Sequence, residues 1–249
     1  MRDSSISWKG SDTASSEFIL SKRINKFWKH VPDLKDLSIL DYGCGEGKYS
    51  SYLSTIAKKV MAVDIDLFKI RKAREVNINN KKNLEFMGLK GNKLIFDDEC
   101  FDLVFLNEVI EHIVYFEKTF KEITRVLKKS GFCVIYAPNK LYPFEQHGFE
   151  IYGKKFGNKF PFITWLPENL TKKYVKFFAR QYTFKDLKEI ASQYNYSIVY
   201  HDYLAPPCDG VQRKNYYIGN ILKFLFDSIE KIPILKTFMM SHLVILKKK

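Results

Sequence analysis

The chain has 249 residues, enough for one large α/β domain with insertions and too few for two independent domains. Apolar residues make up 46% and aromatics 16%, which excludes a disordered chain and predicts aromatic packing in the core and at any pocket. The net charge of +13 fits either a lysine-solvated surface or an anionic partner, so the placement of the charge matters more than its sum.

In chain order, Ser38 to Tyr42 is a short apolar run that leads directly into Gly43-Cys44-Gly45-Glu46-Gly47. The spacing predicts a helix over Lys48 to Lys58, with Tyr49, Tyr52, Leu53 and Ile56 on one side. Val60 to Val63 reads as a second buried strand, ended by Asp64-Ile65-Asp66, with Asp66 the better candidate for a helix cap. A helix over Leu67 to Ile78 and a short strand over Leu84 to Met87 follow. Next come a strand over Asp102 to Leu106, a helix over Tyr115 to Lys129 and a strand over Phe132 to Ala137. Beyond Pro138-Asn139 the period is lost until a helix at Phe184 to Tyr194 and a strand at Ser197 to Tyr203. A helix near Tyr217 to Ile229 and a last strand at Leu243 to Leu246 close the chain.

Strands alternating with helices at this spacing mean a parallel sheet covered on both faces. The expected fold is a Rossmann-like, seven-stranded, mostly parallel α/β sheet whose last strand is antiparallel. The expected organisation is one domain, with a core of about 35–139 and 183–249. Residues 140–182 are expected as a substrate-lid insertion after the fifth strand, and 204–240 as a smaller insertion containing a helix.

In such a sheet, ligands bind outside the carboxyl ends of the central strands. Glycines there let a ligand approach the backbone N–H groups at the start of the following helix. Asp64 stands at the tip of the next strand, 21 residues after Gly43, placed to accept both ribose hydroxyls. The turn reads G-x-G-x-G with Lys48 in place of a third dinucleotide-type glycine, which argues against a nicotinamide dinucleotide. No Gly-Lys-Ser/Thr follows, which excludes a P-loop.

The run Ile39 to Lys48 resembles the first motif of class I S-adenosylmethionine-dependent methyltransferases, and Val63 to Asp66 resembles their second. Phe101 to Ile113 is similar to the fourth-strand segment of the type 11 branch, which includes the quinone-biosynthesis methyltransferases, and Phe120 to Gly131 to the helix before their fifth strand. The resemblance implies S-adenosyl-L-methionine as cofactor. Asp41, Gly43, Gly45 and Gly47 would hold the methionine part, Asp64 the ribose beside Ile65, and Asn107 and Glu108 would lie beneath the sulfonium. Many relatives carry Gly-Asp after the third strand to bind the adenine amine. Here Leu89-Lys90 stand there, which moves that contact to backbone near Gly91 and Asn92.

Methyl transfer to a hydroxyl needs a base beside the acceptor. Pro138 to Gly148 supplies Tyr142, Glu145 and His147, with His147 oriented by Glu145 as the candidate base and loop fixation as the alternative. His112 is expected to be a packed or capping histidine, Asp102 structural, and Glu111 and Glu122 solvent-facing or locally paired. Between Lys140 and Tyr182 there are eight Lys/Arg against three Asp/Glu, and twelve of the 43 residues are aromatic. That suits an acceptor with an anionic part and a ring or apolar part, such as a small molecule, a sugar or a lipid-linked compound. Single-stranded RNA is less favoured because no RNA-binding motif accompanies the charge.

The reaction expected is O-methylation of such an acceptor, with RNA or protein methylation and nicotinamide-dependent oxidoreduction as alternatives. Cys44, Cys100, Cys133 and Cys208 lack metal-ligand spacing, so no metal site is expected. No apolar run is long enough to span a bilayer, and Met1 to Gly10 has no signal-peptide character, which together point to the cytoplasm. The apolar stripe Ile218, Ile221, Leu222, Leu225, Ile229 and Ile232 is expected to pack against the lid, with peripheral membrane contact as the alternative.

Overall fold

A strand buried on both faces must be apolar along its length, and the five central runs of this chain are. The computed structural model describes residues 17–77, 82–157 and 160–249. Strands β1 (Ser38–Tyr42), β2 (Lys59–Asp64), β3 (Leu84–Gly88), β4 (Phe101–Asn107) and β5 (Leu127–Pro138) are parallel neighbours. β9 (Tyr196–Leu204) and β10 (Ser241–Lys248) complete the sheet, in the order β3-β2-β1-β4-β5-β10-β9. β10 runs antiparallel to both β5 and β9. The order reverses between β1 and β4, which is the switch point where the fold binds ligands. The seven-stranded sheet with its antiparallel last strand is the one the sequence predicts.

Alternate side chains divide the core in two. Phe105, Tyr136 and Ile245 pack with Ile24 and Phe27 of helix α1 (Glu17–Trp28) and Leu53 of α2 (Lys48–Leu53). Val104, Ile135 and Val244 pack on the other face with Phe120 and Ile123 of α4 (Phe116–Val126) and Leu187 of α6 (Phe184–Gln193). Helix α3 (Leu67–Val76) lies over β2 and β3 and opens on the Asp66 cap, whose side chain accepts from the Phe68 and Lys69 amides.

Several boundaries differ from expectation. α2 stops at Leu53, because the Asn83 side-chain amide donates to the Ser54 and Ala57 carbonyls and holds them out of a helix. α4 stops at Val126, because Leu127 is extended and pairs with Phe101. Ile78 to Asn80, the end of the helix expected from Leu67, and Met1 to Gly10 lie outside the described residues. Asp102 is structural, accepting from the Ser38 amide and Lys128 Nζ, and Glu122 pairs locally with Arg125.

The segment between β5 and α6 contains a second sheet, β6 (Phe149–Ile151), β7 (Lys154–Phe156) and β8 (Val175–Phe177), with α5 (Glu168–Tyr174) before β8. Its two ends are clipped together: Lys140 N donates to the Tyr182 carbonyl and Tyr182 N to that of Pro138. Between β9 and β10 lie α7 (Asp209–Lys214) and α8 (Tyr216–Ile229).

A histidine pair joins the β10 edge to that clip. His242 is buried, and its Nε2 must donate to the Tyr182 carbonyl at 3.0 Å, because a carbonyl only accepts. Its Nδ1 then accepts from His201 Nε2 at 3.1 Å, and the His201 ring stacks on Phe184 at 3.8 Å. Burial lowers both imidazoles to about 4. In the unfolded chain a histidine protonates near 6.5, so the pair's contribution is complete above about pH 6.5 and is lost as pH falls toward 4. The loss for His242 is on the order of 2–3 kcal/mol, worth several degrees of Tm in a domain of this size. Thermal melts at about pH 7.5 and about pH 4.5 should therefore show a smaller acid-induced drop in His242→Leu than in the wild type, although the variant starts less stable.

Candidate active site at the carboxyl edge of the sheet

The turn after β1 has to reverse within five residues, and Gly43, Gly45 and Gly47 all sit at positive φ (80°, 54° and 77°). The three glycines do different work. A Cβ on Gly43 would lie 2.5 Å from Val109, and one on Gly47 2.5 Å from the Phe86 ring, so internal packing requires both. A Cβ on Gly45 would meet nothing within 4 Å. Only Gly45 therefore has the open space a ligand would need, which narrows the role expected of the three.

Asp64 fixes that turn. Its Oδ2 accepts from Gly45 N and its Oδ1 from Asp66 N, both at 2.8 Å. One carboxylate thus spans the glycine turn and the start of α3, with lone pairs left for further donors. Asp41 lies beneath, fully buried, accepting from Ser50 Oγ at 2.6 Å, and burial pushes its carboxyl up to about 7. It braces the first turn of α2 from inside. Ile65 next to Asp64 is 69% exposed, an apolar side chain left in solvent beside the turn. Leu89 is buried, its N donating to the Asp64 carbonyl, while a Cβ on Gly91 would meet open space.

Asn107 and Glu108 are held by a residue the sequence reading overlooked. Arg23 of α1 is buried, donates to Asn107 Oδ1 at 2.6 Å and pairs with Glu108 Oε1 at 3.2 Å, which also accepts from Ser241 Oγ. The Tyr136 hydroxyl returns a hydrogen bond to the Arg23 carbonyl, and the guanidinium lies over the Tyr136 ring. The signal was present in the apolar spacing of Leu20, Ile24, Phe27 and Val31 around it. The Tyr49 hydroxyl, electrostatically coupled to Arg23, Glu108 and Asp41, is buried with no hydrogen-bond partner among the described residues. An orphaned donor beside a buried arginine fits a carboxylate ligand.

The expected catalytic trio is divided. Glu145 is buried with both oxygens engaged, by the Gly148 amide and by Gln181 Nε2 at 3.0 Å, so it fixes the loop, and its charge acts on His147. Tyr142 packs on Phe144, with Cys208 nearby. His147 meets Glu111 instead, Nε2 to Oε1 at 3.7 Å, and His112 edge-on with ring centroids 5.0 Å apart. Glu111 neither faces solvent nor pairs with a local side chain, the two alternatives expected: its carboxyl is fully buried, and neither oxygen has a hydrogen-bond partner among the described residues. Burial, with Glu108 adding to it, raises that carboxyl well above the usual carboxylate range, and burial lowers His147. The donor atoms of Glu111, His112 and His147 all lie within 4.8 Å of one another, a set that could also hold a cation. Spacing could not have revealed it, since His147 comes from a different segment of the chain.

The sheet order, the glycine turn and its strand-tip acid are the arrangement that the sequence leads one to expect of a nucleoside-binding α/β fold. Residues 40–135 match the "Methyltransferase domain" family. The chain is 27% identical over 134 residues to a "Ubiquinone biosynthesis O-methyltransferase" of Pelagibacter ubique, covering 54% of this chain and 52% of that one. It is 32% identical over 164 residues to a "Demethylmenaquinone methyltransferase" of Lactococcus lactis, covering 61% and 64%. The chain thus spans between half and two thirds of these curated relatives. Among solved structures, an S-adenosylmethionine-dependent methyltransferase from Mesorhizobium loti superposes with a TM-score of 0.61 at 17% identity, over 90% of this chain and 96% of that one. The "[4+2]-Cyclase SpnF" also gives 0.61, at 13% identity, over 92% and 81%, so the fold alone does not fix the reaction. These comparisons support a methyltransferase domain over residues 40–135, similar to the class I, S-adenosylmethionine-dependent kind of the type 11 branch.

The glycines can be separated by experiment. Gly47→Ala meets both the Phe86 ring and a left-handed backbone, and should lose about 3 kcal/mol or more in denaturant unfolding. Gly45→Ala has only the backbone cost of about 1–2 kcal/mol, and should leave a folded protein whose ligand-facing turn is filled.

Proposed function

We propose that the chain is an S-adenosylmethionine-dependent methyltransferase that O-methylates a small-molecule, sugar or lipid-linked acceptor. The observation that carries this reading is the Asp64 bridge at the switch point of the sheet, with open space over Gly45. One relative's name as an O-methyltransferase supports a hydroxyl as the acceptor.

Asp64 accepts the ribose hydroxyls through its remaining lone pairs, and Ile65 flanks the base. Backbone at Gly91 and Asn92 takes the adenine edge. Arg23 and the Tyr49 hydroxyl receive the methionine carboxylate, while Asn107 and Glu108, oriented by Arg23, line the floor. Bound there, the sulfonium supplies a methyl group already activated by positive charge. The protein then has to align the acceptor, exclude water and remove one proton. His147, kept neutral by burial, takes that proton. Glu145 holds the loop that carries His147. Residues 140–182 act as the lid over the acceptor, their lysines and aromatic rings matching an acceptor with anionic and apolar parts.

Incubation with methyl-labelled S-adenosylmethionine and cell extract tests this. Label should enter organic-extractable material, and His147→Ala should cut the rate by about 10²–10⁴ with cofactor affinity unchanged. Label in RNase- or protease-sensitive material, or none anywhere, would overturn the assignment. The two orphan oxygens of Glu111 favour a second reading of the same cluster, as a divalent-cation site. Loss of labelling on EDTA treatment, reversed by added metal, would select it.

A further inference from the structure

The connection between β9 and β10 exposes far more apolar surface than a solvated helix carries. α8 is pressed on one side against α7, where a Cβ on Gly219 would lie 2.3 Å from the Gln212 side chain. On a second side Asp227 pairs with Lys22 of α1 at 3.0 Å, and Glu230 caps Ala205 N and faces Lys22 and Lys26. The remaining face carries Tyr217, Ile218, Ile221, Phe224 and Leu225, between 48% and 79% exposed, and it does not pack against the residues after β5 as the sequence reading expected. The turn after α8 continues the surface with Ile234 at 76% and Leu235 at 43%. Phe238 and Trp165, both partly exposed and 5.8 Å apart, join it to the segment after β5.

The charge around this face is of one sign. Arg213 and Lys214 are exposed just before α8 and Lys231 just after it. Asp227 and Glu230 are the only acids between residues 216 and 240, and both turn inward to α1. An apolar helical face bordered by cations and free of acids is built to lie in the headgroup layer of an anionic membrane. A second copy of the chain would bring two basic borders together, which favours the lipid as occupant. No helix among the described residues is long and apolar enough to cross a membrane, so the contact is peripheral.

We propose that the outer face of α8 and the turn that follows it dock this chain on the surface of an anionic bilayer. The proposal does not depend on the methyltransferase reading and needs no activity to test. In flotation assays the full chain should bind vesicles of phosphatidylcholine mixed with phosphatidylglycerol, bind phosphatidylcholine alone weakly or not at all, and release at high salt. Ile221→Glu/Phe224→Glu should weaken vesicle binding by about tenfold or more, and Arg213→Glu/Lys214→Glu/Lys231→Glu should do the same. Melting temperatures should stay unchanged, because these side chains are solvent-exposed. Absence of binding to either vesicle, or binding that both variants retain, would overturn the proposal. So would self-association in sedimentation velocity that Ile221→Glu/Phe224→Glu abolishes while vesicles are ignored, since that assigns the face to a second copy.

Discussion

The site hangs on one carboxylate. Asp64 ends β2 and reaches sideways to the Gly45 amide and forward to the Asp66 amide, so the turn after β1 and the start of α3 share a single anchor. Three residues at positive φ would otherwise leave that turn loose, since glycine carries the largest backbone entropy to lose. Val63 adds to the same hold, its carbonyl accepting from the Gly43 and Cys44 amides. The parallel β1–β2 register puts these groups side by side, and the reversal of strand order beyond β1 leaves room in front of them.

Arg23 plays the matching part on the other side of the switch point. It is buried against Tyr136 and shared between Asn107 and Glu108, so it welds α1 to the ends of β4 and β5. A buried guanidinium is tolerable only when it is paired and hydrogen-bonded, and these partners provide that. The same residue lines a cavity of about 50 Å³ beneath α8, together with Pro206, Cys208, Phe226 and Asp227. The helix with the exposed apolar face is thus also the roof over a cavity that Arg23 lines.

Much of this was legible in the residues. Buried parallel strands are short unbroken apolar runs, so VMAV and the run at Asp102 to Leu106 announced β2 and β4 to within a residue or two. Asp66 as a cap and Asp64 as the strand-tip acid followed from position alone. Helix ends were less legible because tertiary contacts set them, as Asn83 does for α2 and the Phe101–Leu127 pairing does for α4. β6, β7 and β8 are three residues each, too short to show a period. The Glu111–His147 contact joins residues 36 apart, and nothing local predicts it. The glycines looked alike in sequence and proved different only once Val109 and Phe86 were in place.

The central claim is that Asp64 and the glycine turn bind S-adenosylmethionine. Calorimetric titration of the wild type and of Asp64→Ala with S-adenosylmethionine, S-adenosylhomocysteine and NAD tests it most directly, with thermal melts confirming that the variant is folded. The account predicts binding of the first two ligands and not of NAD, with the substitution costing at least about tenfold in affinity for the loss of charge-assisted ribose hydrogen bonds. Binding of NAD alone, or of none of the three by the wild type, would contradict it.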